Sequence, residues 1–161
     1  MGFLEEGFDV VGIDILPMPT YPSTFMQTSI VGLPGSLFTS ATAIVSSPPC
    51  KEFSRTGMPW LVNVSEPDLT LVREVLRIRK EAGGIPLILE NSRFAQSWLG
   101  KAKGHYGPFY LWGAVPLPLP SYYPHEHRKK ESYGSNQELE RAKIPIQLSR
   151  YIAKHFKESQ C

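Results

Sequence analysis

The chain holds 161 residues, 42% of them hydrophobic, 20% charged and 11% aromatic, with a formal net charge of +2. That composition suits one globular domain with a real core and does not suit an intrinsically disordered chain. No apolar run approaches the roughly 20 residues of a membrane-spanning helix, no secretory leader is expected from the opening residues, and so small a charge does not by itself argue for nucleic-acid binding. Two cysteines, Cys50 and Cys161, make no disulfide framework, so the reducing cytoplasm is the expected compartment. Twelve of the fifteen prolines gather at 17–22, 48–59, 108–124 and 145, between the periodic segments, which predicts ordered loops around a compact core.

In chain order, Met1 to Gly7 reads as the last two turns of a helix closed by a glycine. Phe8 to Ile15 is an apolar strand with Asp14 near its end. Residues 16–24 form a proline-rich loop, and 25–31 a short strand. Ala41 to Ser46 is a buried strand that runs into Ser47-Pro48-Pro49-Cys50-Lys51. Proline fixes its own φ and keeps the preceding residue out of the helical region, so Cys50 is expected on a stiff, extended loop at a strand end. Residues 65–82 carry a helix, with Ser65 as N-cap, Pro67 in the first turn, Asp68 in the capping-box place and Gly83-Gly84 at the end. Ile85 to Asn91 is another buried strand, Tyr106 to Val115 a strand pair, and the last helix opens at Pro145 and runs through Leu148, Tyr151, Ile152 and Phe156.

This is α/β order and predicts a parallel sheet. The carboxyl ends of its strands then bring Asp14, Cys50 and Glu90-Asn91 to one crevice. His125-x-His127 has no Cys or carboxylate cluster to complete a metal site, so no metal is expected. Trp60, Trp98 and Trp112 are read as packing, and Arg128-Lys129-Lys130 either as phosphate contacts or as a solvated loop.

Ser-Pro-Pro-Cys after one strand and Leu-Glu-Asn after the next resemble the DNA cytosine-5 methyltransferases, above all their short phage-type and bacterial members. The likeness extends through Gly7 to Asp14, Gly57-Met58-Pro59-Trp60 and Tyr106 to Gly113. It implies a Rossmann-like, S-adenosylmethionine-dependent methyltransferase fold that lacks its first strand and glycine-rich motif. In that scheme 1–115 is the catalytic core, 116–143 a small insert and candidate target-recognition region, and 144–161 a helix packing back on the core.

The resemblance implies that Cys50 attacks C6 of a cytosine flipped out of double-stranded DNA, that Glu90 holds a proton for N3, and that Asn91 orders the loop or the Glu90 carboxylate. It implies Asp14, Ile15, Ser29 and Pro48 as cofactor contacts, with Ser29 standing where the family has an Asp. It implies Ser54, Arg55, Arg93, Arg128, Lys129 and Lys130 as DNA contacts. Lys51 stands where the family commonly has Gln. A monomer with no membrane partner is expected. Two rivals accompany this reading: a relative that binds DNA without catalysis, and a methyltransferase for RNA cytosine.

Overall fold

The computed structural model describes residues 1–56, 65–121 and 143–159. They form a mixed α/β structure. Helix α1 (Gly2–Glu5) leads to strands β1 (Val11–Asp14) and β2 (Thr24–Gln27), and a 3-10 turn at Gly35–Phe38 precedes β3 (Ile44–Ser46). Helices α2 (Lys51–Thr56) and α3 (Thr70–Glu81) come next, then β4 (Leu87–Asn91), a 3-10 turn at Arg93–Ala95 and α4 (Gln96–Leu99). The hairpin β5 (Gly104–Tyr106) and β6 (Phe109–Gly113) and the final helix α5 (Ile146–Glu158) complete the order.

The single parallel sheet expected from the sequence is instead two sheets. β1 pairs in parallel with β2, Asp14 opposite Gln27, and these two strands stand apart from a four-stranded sheet of order β3-β4-β6-β5. Within the larger sheet only β3 and β4 are parallel, and β6 runs antiparallel to both β4 and β5. The reason is local. Gly107-Pro108 joins β5 to β6 as a two-residue turn with Gly107 at φ 58, and so short a link permits only an antiparallel partner. Asp14 therefore ends a strand in one sheet, while Ser46 and Asn91 end strands in the other.

Strand β4 is buried on both faces. Ile88 packs with Tyr106, Leu111, Leu148, Ile152 and Phe156 on one side, and Leu89 packs with Phe53, Val72 and Ala95 on the other. Ile88, Leu111 and Leu148 are fully inaccessible, a burial worth about 1.5–3 kcal/mol for each side chain. On α5, Leu148, Ile152, Ala153 and Phe156 lie at helical spacing on one stripe and bury it against the first cluster. The same helix holds α1 in place: Lys157 Nζ donates to the Glu6 carbonyl at 3.0 Å, and Arg150 pairs with Glu5.

Helix α3 begins at Thr70, later than the Ser65 start expected from the sequence. Leu69 is the N-cap and no side chain caps the helix; Asp68 Oδ1, just outside it, accepts the N–H of Thr70 at 2.8 Å. Residues 65–69 are an irregular lead-in. Val72, Val75 and Ile78 form the buried stripe, and Gly83 and Gly84 close the helix at φ 90 and 78. On the outer face, Arg77 bonds both Glu74 and Glu81 at 2.8 Å and donates to the Leu33 carbonyl at 2.7 Å. The same two carboxylates take the N–H groups of Gly32 and Gly35, each at 2.9 Å, so the 32–35 loop is fastened to α3.

Candidate active site

The parallel register pairs Ser46 with Leu89, so the chain leaves β3 beside Glu90. Ser47, Pro48 and Pro49 continue without regular structure, Cys50 follows, and α2 starts at Lys51. Sequence periodicity gives no hint of this six-residue helix. It is fixed from outside its own span: Phe53, 1% exposed, sits in the cluster with Val72, Leu89 and Ala95.

Asn91, at the end of β4, is the buried polar side chain among the described residues, at 1% exposure. Its Nδ2 donates to the Pro48 carbonyl at 2.9 Å, and its Oδ1 accepts the N–H of Ser92 at 2.8 Å. Both ends of the amide are thus satisfied, as burial demands. The contact joins the end of β4 to the residues that lead into Cys50.

Glu90 is held in the ordinary range for neither a surface acid nor a neutral group. Burial pushes its carboxyl up to about 7, with a hydrogen bond from the Ser47 hydroxyl pulling the other way. A carboxyl with that pKa holds a proton about half the time at neutrality. Cys50 reaches solvent, yet burial of the thiol raises its pKa, and the nearby Glu90 carboxylate raises it further. Its own backbone N–H, the Lys51 charge and a hydrogen bond from Ser54 act in the opposite direction. Ser47 was not among the site residues read from the sequence; its role depends on the register between β3 and β4, which no local pattern encodes.

Cys50, Glu90, Asn91, Pro48 and Ser54 are therefore brought together. Asp14, Ile15 and Ser29 belong to the β1–β2 sheet and its following loop. Asp14 is exposed, with its Oδ1 accepting the N–H of Leu16 at 2.8 Å, and Ile15 is 65% exposed. Ser29 Oγ accepts the N–H of Val31 at 3.1 Å. Arg55 on α2 and Arg93 on the 93–95 turn are both exposed and lie on elements packed against each other, with the Arg93 guanidinium 4.8 Å from the Phe94 ring centre. Arg128, Lys129 and Lys130, like His125, His127, Trp60 and residues 122–142 of the 116–143 insert, lie outside the described residues.

Trp98 and Trp112 pack beside the cluster around Phe53 and Leu89, in keeping with a packing role. An apolar cavity of about 460 Å³ lies there too, lined by Val72, Leu76, Leu87, Leu89, Leu99 and Trp112. It belongs to the space between α3 and the sheet, and Cys50 and Glu90 take no part in it. Among the described residues no group of His, Cys, Asp and Glu is arranged to hold a metal, and no helix is long and apolar enough to cross a membrane. No protein-family model, no curated protein and no solved structure matches this chain. The chemistry has to be argued from the residues themselves.

What those residues can do is limited and specific. A thiol and a proton-holding carboxyl sit at the ends of adjacent parallel strands, close enough for the carboxylate to feel the sulfur's charge. A nucleophile paired with an acid in this way suits addition to a ring that must be protonated as it is attacked.

Proposed function

We propose that the chain acts as a cytosine-5 methyltransferase on DNA, with a Rossmann-like methyltransferase core and S-adenosylmethionine as methyl donor. The observation that carries this reading is the pairing of Cys50 with Glu90, whose carboxyl is pushed up to about 7.

The Cys50 thiolate forms a bond to C6 of the cytosine, and the C5–C6 π electrons move toward C5 and N3. Glu90 delivers its proton to N3 and so makes the ring electron-poor enough to accept the addition. Asn91 keeps the Pro48–Cys50 loop at a fixed distance from β4 throughout. After C5 has been methylated, its proton leaves to solvent, the S–C6 bond breaks, Cys50 recovers its electron pair as the thiolate, and N3 returns its proton to Glu90. The cytosine has to leave the base stack to reach the two groups. Exposed Arg55 and Arg93, flanking the loop, suit phosphate contacts.

The residues present fit the adenosine half of S-adenosylmethionine: an exposed carboxylate, Asp14, at the carboxyl end of a parallel strand for the ribose hydroxyls, and exposed Ile15 for the adenine face. When bound, that compound supplies an electrophilic methyl group on a sulfonium.

Replacing cytosine by 5-fluorocytosine in the DNA tests the reading, since fluorine cannot leave C5 as a proton does. With S-adenosylmethionine present, the chain should become covalently attached to such DNA, and Cys50→Ala should not. Absence of any adduct from the unaltered chain overturns the proposal.

A second reading is favoured by one observation: Asp14 ends a strand of one sheet, while Glu90 lies on a strand of the other. On that reading the chain holds DNA without transferring a methyl group. Calorimetric titration separates the two, because only the first requires S-adenosylmethionine to bind.

A further inference from the structure

The β5–β6 hairpin carries two rings at the edge of the sheet where β4 ends. Register places Asn91 opposite Tyr110 and Tyr110 opposite His105, so the three side chains form one row on one face. The row passes from the buried Asn91 amide, through half-buried Tyr110, to exposed His105. The imidazole stacks on the phenol ring, with centroids 4.9 Å apart and planes at 15°. Its Nδ1 donates to the Gly107 carbonyl at 3.2 Å, which restrains the ring. Because β5 is the edge strand, no further strand among the described residues covers the outer face of the imidazole.

Charge along this part of the chain has one sign. From Asn91 to Ser121 there is no Asp or Glu, while Arg93, Lys101 and Lys103 are all exposed. An open aromatic face among cations suits an unpaired nucleic-acid strand, because the cations take phosphates and the ring takes a base. Two strand spacings put His105 about 10 Å from Asn91, whose amide holds the loop ahead of Cys50. A DNA strand advances about 3.4 Å per stacked nucleotide, so a cytosine at Cys50 has close neighbours within reach of the pair. We propose that the His105–Tyr110 stack is a platform for an unstacked base of the DNA strand, a few nucleotides from the cytosine at Cys50. The choice of DNA rests on the methyl-transfer reading; the platform itself rests on the hairpin.

Fluorescence anisotropy tests this with two labelled strands of equal length: an oligodeoxycytidine, and an abasic strand that keeps the phosphates and lacks the bases. The unaltered chain should hold the oligodeoxycytidine more tightly. His105→Ala should weaken that binding by about tenfold and leave the abasic strand unaffected, which also reports that the variant is folded. His105→Phe keeps a ring and should retain the original affinity. Lys103→Gln, which removes a charge, should weaken both strands alike. Equal affinity of the unaltered chain for the two strands overturns the proposal. So does a His105→Ala variant that loses nothing, or a His105→Phe variant that loses as much. No methyl transfer is measured, so a 5-fluorocytosine adduct formed without any preference for bases removes the platform alone. A preference for bases that depends on His105, without an adduct, removes the methyltransferase reading alone.

Discussion

Asn91 ties the end of β4 to the cysteine loop: its Nδ2 reaches the Pro48 carbonyl at 2.9 Å while its Oδ1 takes the Ser92 N–H at 2.8 Å. The amide is 1% exposed, so water cannot replace either bond. This clamp holds the loop ahead of Cys50, as Phe53 holds the helix behind it.

Asn91→Leu keeps the volume roughly the same and leaves the Pro48 carbonyl and the Ser92 N–H without partners. Each orphaned group costs about 1–3 kcal/mol. Urea unfolding should show a loss of about 2–4 kcal/mol with little change in slope. An unaltered midpoint would mean that the clamp contributes nothing to the fold.

Glu90 makes stability depend on pH. Its folded-state pKa, about 7, lies above the ordinary carboxyl value of 4.5, so the folded state retains a proton that the unfolded chain releases. The stabilisation is fully present below pH 4.5 and is lost as pH rises to 7 and beyond, by about 3 kcal/mol in all. Glu90→Gln cannot titrate. Relative to that variant, the unaltered chain should lose ground between pH 4.5 and 7 and run parallel to it above pH 8. Parallel curves across the whole range would contradict a raised pKa.

The same substitution separates reactivity from catalysis. Removing the Glu90 charge removes one of the two effects that raise the Cys50 thiol pKa, so Glu90→Gln should alkylate faster at pH 8. Without an acid for N3, methyl transfer should nevertheless fall by about 10²–10⁴-fold. A parallel rise or a parallel fall in both measurements would mean that Glu90 acts on the sulfur alone.

Arg77→Met removes the cation that joins Glu74, Glu81 and the Leu33 carbonyl. The two carboxylates would then face each other on the outside of α3. The loop they hold should open more often, and limited chymotrypsin digestion should cut sooner at Leu37 or Phe38. Cleavage at the original rate would show that the Gly32 and Gly35 contacts suffice.

Particular elements explain what could be read from the sequence. The run Leu87-Ile88-Leu89 is apolar on both strand faces and belongs to a strand buried on both. Val72, Val75 and Ile78 lie at helical spacing and form the buried stripe of α3. Its start lies later than the sequence suggests because Ser65, Pro67 and Asp68 all resemble first-turn residues, yet none caps the helix and Asp68 only accepts the Thr70 N–H. Helix α2 is too short to show a period and owes its place to Phe53 in a distant cluster. The separation of β1–β2 from the other strands, and the bond from Ser47 to Glu90, depend on which strands pair and in which register. No local pattern carries that information. Cys50, Glu90 and Asn91 were legible as a group because each directly follows or ends a strand that its own residues specify.

The central claim is most directly tested in cells that lack cytosine methylation, expressing either this chain or its Cys50→Ala form. Bisulfite sequencing of their DNA should reveal protected cytosines at a recurring sequence with the unaltered chain and none with Cys50→Ala. No protected cytosine in either, or the same ones in both, would contradict methyl transfer through Cys50.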